Sequence, residues 1–281
     1  MKRNLFTIII MMAVIAFGCG VVNKLPADAN ESKSAVETDG YGVYLSCDYN
    51  QLPKDLHLDA LVIDAQYYSE KEIAQLQENN GAVYSYINLG SIENFRDYYD
   101  DYSKYCLDPY ENWDEEYWMD VSQKDWQNFI SNMAQDLADK GISGFFVDNV
   151  DVYYHYPTQE MFDGVATILK SFKSLDMDVV INGGDVFVSK YLKDYGTLTP
   201  VLDGVNQESV FSSINWDTET FSASDAEDRE YFLNYLATVK ADGKEVYLLE
   251  YTKDPKLIST IKKQSAAYGY HYYISDSIEL D

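Results

Sequence analysis

The chain has 281 residues, with 47 acidic side chains against 21 basic ones and a net charge of −26 at pH 7. That balance argues against nucleic acid as a partner, because such binding is carried by cationic side chains, and it favours neutral or cationic partners through long-range attraction. The three His are scattered and no Cys/His metal spacing exists, so neither a metal nor a cofactor is expected.

At the N-terminus, Lys2 and Arg3 precede a largely apolar run from Leu5 to Phe17, a charged region followed by a hydrophobic one. The run is shorter than the roughly 20 residues of a comfortable membrane span. It ends in Ala16-Phe17-Gly18-Cys19, which resembles a bacterial lipoprotein signal with Cys19 as the lipidated residue. An uncleaved anchor and ordinary secretory cleavage are the alternatives. Residues 1–18 are then a signal segment, and losing Lys2 and Arg3 takes the net charge from −26 to −28. A diacylated Cys19 would tether the protein outside the cytoplasmic membrane. Residues 19–39 are polar and free of aromatics, as in a flexible tether. Residues 40–281, about 240, suit one barrel-sized domain. An extracytoplasmic location permits a disulfide between Cys47 and Cys106 and does not require one.

Eight strand-like segments follow: Tyr41–Ser46, Ala60–Ala65, Ala82–Leu89, Gly144–Asp148, Val179–Asn182, Gly204–Gln207, Val246–Tyr251 and Tyr270–Ile274. Between most of them lie stretches with apolar residues at helical spacing: Glu70–Asn79, Gln123–Lys140, Thr158–Leu175, Phe187–Tyr195, Ala226–Ala241 and Pro255–Tyr268. In Gln123–Lys140, Trp126, Phe129, Ile130, Met133 and Leu137 form one face, closed by Gly141. Strands alternating with helices point to a single-domain α/β fold, a (β/α)8 TIM barrel. A doubly wound sheet is the competitor, but no Gly-x-Gly-x-x-Gly follows the first strand. The connection from Gly90 to about Ser122 is unusually long and rich in Tyr and Trp, including Tyr110, Trp113 and Trp118, which marks it as functional.

Several strands end in carboxylates or carboxamides: Asp64; Asn88, with Glu93 and Arg96 beyond it; Asp148, Asn149 and Asp151; Asn182 and Asp185; Gln207 and Glu208; Glu250, with Tyr251. Any one alone reads as a cap or a solvated loop residue. In a (β/α) barrel, however, all of these ends meet at one mouth. Crowded like charges raise the pKa of at least one member, giving a neutral acid beside an ionised base. Glycoside hydrolysis needs that division of labour, and 26 Tyr and 4 Trp offer flat faces for sugar rings, besides their ordinary part in packing.

These residues resemble a known family. Gly90-Ser91-Ile92-Glu93-Asn94-Phe95-Arg96 is similar to the Gly-x-x-Glu-x-x-Arg segment of endo-α-1,4-polygalactosaminidase-like proteins, glycoside hydrolase family 114. Trp118-Met119-Asp120 resembles its Trp-x-Asp element. Gly141-Ile142-Ser143-Gly144-Phe145-Phe146-Val147-Asp148-Asn149-Val150-Asp151 resembles its Gly-Phe-x-Gly-Val-Phe-x-Asp-Asn-x-Asp strand. Asn206-Gln207-Glu208 and Val246–Tyr251 look like later signatures, and the likeness runs from Tyr41 to the C-terminus. Ile142 and Ser143 depart from the family pattern. The resemblance implies Asp148 as nucleophile or base and Glu208 as general acid/base. It further implies a supporting, substrate-binding shell of Asp64, Asn88, Glu93, Arg96, Asp120, Asn149, Asp151, Asn182, Glu250 and Tyr251. Arg96 would hold Glu93 in a charge-assisted pair, and Asp64, Asp120, Asp151 and Glu250 would meet the amino groups of a cationic galactosamine polymer. A glycan-binding lipoprotein without hydrolysis is the alternative. An esterase or deacetylase ranks third, for want of a Ser/His or metal pattern.

Overall fold

The computed structural model describes residues 37–280, apart from residue 112. The signal segment, Cys19 and most of the tether lie outside the described residues. Eight parallel strands form the frame: β1 (Tyr41–Tyr44), β2 (Ala60–Ile63), β3 (Ala82–Asn88), β4 (Gly144–Asp148), β5 (Asp178–Asn182), β6 (Gly204–Glu208), β7 (Glu245–Tyr251) and β8 (His271–Ser275). They lie side by side in chain order, each hydrogen-bonded to the next. The sheet curls into a nearly closed barrel. Across the seam, the rings of Tyr44 and Tyr273 sit 5.7 Å apart, and the Leu45 N–H donates to the Leu280 carbonyl at 3.0 Å. Glu37 and Thr38, assigned to the tether by composition, instead pair antiparallel with β8.

Six helices cover the outside: α1 (Glu70–Gln77), α2 (Lys124–Asp139), α3 (Gln159–Lys173), α4 (Asp185–Tyr195), α5 (Ala226–Ala241) and α6 (Pro255–Tyr268). Four of these helices begin on a polar side chain that caps the first turn. Ser69 and Glu72 form a reciprocal capping box, and Thr158, Asp225 and Asp254 each accept from first-turn N–H groups. No helix joins β1 to β2.

Strand alternation sorts side chains between helices and barrel interior. On β4, Phe145 faces outward and stacks on Phe172 of α3 at 5.0 Å, whereas Gly144, Phe146 and Asp148 take the inward positions. The interior is rich in tyrosine and asparagine rather than in aliphatics. Tyr41 stacks on Tyr247 at 4.8 Å, and its hydroxyl donates to Asn206 Oδ1 at 3.0 Å. Gly144 leaves the space that the Tyr84 ring fills; a Cβ there would lie 2.8 Å from it. Such an interior carries a polar ladder up to the C-terminal ends of the strands.

The long β3–α2 connection is a small antiparallel sheet of its own, with Ser91–Glu93 and Cys106–Pro109 flanking Glu116–Met119. No disulfide joins Cys47 to Cys106. Cys47 lies in the core, and the Cys106 thiol contacts the Met119 sulfur at 3.7 Å.

Candidate active site

A cleft of about 800 Å3 opens at the C-terminal ends of the strands. Asp148 and Glu208, the last residues of β4 and β6, both line it, as does Asn182, the last residue of β5 between them. Asn182 Nδ2 donates to Asp148 Oδ1 at 3.0 Å and to Glu208 Oε1 at 2.8 Å. One carboxamide therefore bridges the two carboxylates. The two acceptor oxygens therefore stand no more than about 5.8 Å apart, the two bonds laid end to end. Asn182 is itself fixed by Asn206, whose Nδ2 donates to its Oδ1 at 2.7 Å.

The two carboxylates differ in their remaining partners. Asp148 accepts from the Asn149 N–H at 2.9 Å and from the Tyr86 hydroxyl. Glu208 accepts from the Tyr251 hydroxyl at 2.8 Å. Burial pushes both carboxyls above their ordinary range, and the donors oppose it. Asp148, with the larger set of donors, is the better-stabilised anion, and its charge helps to keep the proton on Glu208.

Each of these strand ends breaks abruptly. Asn149 and Ser209, the residues after Asp148 and Glu208, hold φ of 60° and 55°, and Gly183 and Gly184 after Asn182 hold 69° and 79°. Left-handed backbone at a non-glycine residue is strained and tends to gather at functional sites. Here it turns the chain away directly after Asp148, Asn182 and Glu208. Gly90 makes room for one of these turns, because a Cβ there would stand 1.8 Å from the Asn149 carbonyl oxygen.

Of the other residues singled out in the sequence, Asp64, Glu93, Arg96, Asn149, Asp151 and Tyr251 also line the cleft. Arg96 donates to Asp64 Oδ2 at 2.9 Å and to Glu93 Oε1 at 2.8 Å, so it clamps two carboxylates rather than the one expected. Asp151 accepts from the Gly184 N–H at 3.2 Å, and burial, with Asp185 nearby, pushes its carboxyl up to about 7.

Three expected residues are placed elsewhere. Asn88 is buried behind the cleft, donating to Ser91 Oγ at 2.6 Å and Glu116 Oε1 at 3.0 Å. Asp120 closes a turn before α2, accepting from the N–H and hydroxyl of Ser122 and, at 2.6 Å, from Gln123 Nε2. Glu250 is wholly buried on the far side of β7. Its oxygens accept from the Phe211 and Ser212 N–H groups and from the Ser212 hydroxyl, pinning the loop after β6. Neither Asp120 nor Glu250 lines the cleft.

The structure adds residues that the sequence did not single out. Glu116, in the excursion sheet, lines the cleft, and burial pushes its carboxyl up to about 7. Trp216, in the hairpin Ser212–Asn215/Thr220–Ala223, meets Trp113 edge-to-face at 6.1 Å, and the two form an aromatic rim over the cleft. Tyr86 completes the donor set around Asp148.

A model of glycoside-hydrolase family GH114 matches residues 23–280. An uncharacterised protein of Methanocaldococcus jannaschii, MJ1477, is 23% identical over 239 residues, 76% of this chain and 67% of that one. The glycoside hydrolase domain of PelA from Pseudomonas aeruginosa is similar in structure, with a TM-score of 0.70 and 16% identity over 87% of this chain and 97% of that one. Aspergillus fumigatus Ega3, solved in complex with galactosamine, gives a TM-score of 0.65 and 15% identity over 90% of this chain and 98% of its own. At such identities the two structures speak for the barrel fold, and the family rests on the family model.

Proposed function

This chain belongs to glycoside-hydrolase family GH114, and from its site we propose that it cleaves an α-1,4-linked galactosamine-containing polysaccharide with retention of anomeric configuration. The observation that carries the mechanism is the Asn182 bridge, which holds one oxygen of Asp148 and one of Glu208 within about 5.8 Å of each other. Carboxyl groups about 5–5.5 Å apart suit a double displacement, whereas inversion needs about 6.5–9.5 Å to admit a water between them.

Asp148, the better-stabilised anion, attacks the anomeric carbon while protonated Glu208 gives its proton to the departing glycosidic oxygen. A covalent glycosyl-Asp148 ester results. Glu208, now ionised, takes a proton from water, whose oxygen attacks the same carbon and releases Asp148. Asn182 donates to both carboxylates and holds them in register throughout. Tyr251 keeps the second Glu208 oxygen in place, and Tyr86 and the Asn149 N–H do the same for Asp148. Trp113 and Trp216 offer ring faces to the polymer. A polymer of free aminosugars is cationic, and a chain of net charge −26 attracts it. The galactosamine bound to Ega3 supports this substrate class.

The experiment is release of reducing ends from partly deacetylated α-1,4-galactosaminan by the wild type, Asp148→Asn and Glu208→Gln, each verified as folded. Both variants should lose about 10³-fold or more in kcat. Full activity in either sinks the assignment.

A further inference from the structure

Glu93 and Glu116 stand directly opposite one another on adjacent antiparallel strands, so both side chains share the face of the small sheet that lines the cleft. Opposed like charges destabilise a strand pair, and both residues are nearly buried, at 8% and 7% exposure. Arg96 meets only part of this charge, since one of its amino groups is taken by Glu93 Oε1 and the other by Asp64. Glu93 Oε2 is buried with no hydrogen-bond partner. Glu116, which also lines the cleft, receives Asn88, Ser91 and Asn149 all on Oε1 and no donor on Oε2. Each of these two opposed carboxylates thus keeps one oxygen that no donor meets. A folded chain bears such a pair only where something cationic enters or one carboxyl is neutralised.

We propose that Glu93 and Glu116 form the subsite that receives the ammonium group of an aminosugar residue, on the Asp148 side of the catalytic pair. The inference rests on the galactosamine-polymer reading above and names the groups that would select the free amine. An ammonium brings three donors and a full charge to two unpaired oxygens. A sugar hydroxyl brings one donor and no charge; an N-acetyl group brings one N–H, no charge and added bulk. Asn149 joins the subsite to the reaction centre, because its side chain donates to Glu116 at 2.9 Å while its own N–H donates to Asp148 at 2.9 Å.

Glu116 is faced by Glu93 across the strand pair, by Asp148 from β4, by Tyr86 from β3 and by Tyr110 from the excursion. Burial among them pushes its carboxyl up to about 7. The empty subsite therefore holds a proton on Glu116 at mildly acid pH. An incoming ammonium expels that proton, so KM for an amine substrate falls as pH rises through about 7, until the sugar amine itself loses its charge.

The test compares the full chain with Glu116→Gln and Glu93→Gln on fully deacetylated α-1,4-galactosamine oligosaccharides and on their N-acetylated counterparts, using turnover and titration calorimetry. Glu116→Gln should raise KM about tenfold for the amine substrate with little change in kcat, abolish the KM dependence near pH 7, and change the acetylated substrate less than about twofold. If Glu93→Gln fails to fold because Arg96 loses its partner, Glu116→Gln alone decides the matter. Equal losses on both substrates would mean that Glu116 only holds Asn149 and Asp148, and would overturn the subsite. So would no loss on either substrate, or calcium uptake by the pair without amine selectivity. Amine-selective binding that depends on Glu116, without hydrolysis of any polymer, supports the subsite and overturns the hydrolase reading. Hydrolysis that prefers the acetylated polymer does the reverse.

Discussion

Glu208 and Glu250 stand near the ends of neighbouring strands, the first partly and the second wholly buried, and desolvation pushes both above the ordinary carboxyl range, yet they are held differently. Glu208 occupies an inward position of β6, in step with Asn206, and meets only the side chains of Asn182 and Tyr251. It shares the cleft with Asp148. Glu250 occupies an outward position of β7, out of step with Tyr247 and Tyr251, and spends its oxygens on Phe211 and Ser212. Burial and a displaced pKa do not by themselves mark a catalytic carboxylate. What separates the two is where their hydrogen bonds end, on a rigid loop or at an open cleft.

The largest effects should fall on the inward side of that divide. Asp148→Asn and Glu208→Gln remove the two proposed reacting groups and should cut kcat about 10³-fold or more with little change in melting temperature. Asn182→Ala should cut kcat about 10²-fold, because it removes a donor shared by both carboxylates without touching the bond-breaking atoms. On the outward side the pattern reverses. Glu250→Ala strands two buried N–H groups and should destabilise the fold by about 3 kcal/mol, lowering the melting temperature by roughly 6–12 °C in thermal scans. Its kcat per folded molecule should stay within about tenfold of wild type. A Glu250→Ala enzyme that folds as well as wild type but does not turn over would erase the distinction.

A smaller effect should appear in stability against pH. Burial pushes Glu116, Asp151 and Glu250 each up to about 7, whereas their unfolded values lie near 4. Between those limits the folded chain holds protons that the unfolded chain has lost, so the penalty of burying these three groups is absent below about pH 4 and grows as pH rises toward 7. Calorimetry of the free enzyme should find a melting temperature several degrees higher at pH 5.5 than at pH 8. A flat profile would mean that these carboxyls are better solvated than their burial implies.

Much of the fold was legible in the sequence. Apolar runs such as Phe145-Phe146-Val147 and faces such as that of Trp126, Ile130 and Leu137 located the eight barrel strands and the six outer helices, because burial on one or both faces writes its period into the chain. Polar residues at strand ends located Asp148, Asn182 and Glu208 for the same reason. Glu250 was misplaced although the information was present: adjacent strand residues face opposite sides, so Glu250 and Tyr251 cannot both enter the barrel. Asp120 was equally readable as a turn carboxylate, since Ser122 and Gln123 follow at the spacing of a local cap. Glu116 was not readable. Its partners Asn88, Ser91 and Asn149 come from distant parts of the chain, and nothing local distinguishes it from Asp114 or Glu115.

The central claim is that Asp148 and Glu208 stand close enough for a double displacement. Proton NMR of the first sugar product, recorded before mutarotation, tests it directly on an α-linked galactosamine oligosaccharide. The α anomer should form first and then relax to the mixture; initial accumulation of the β anomer would contradict the account.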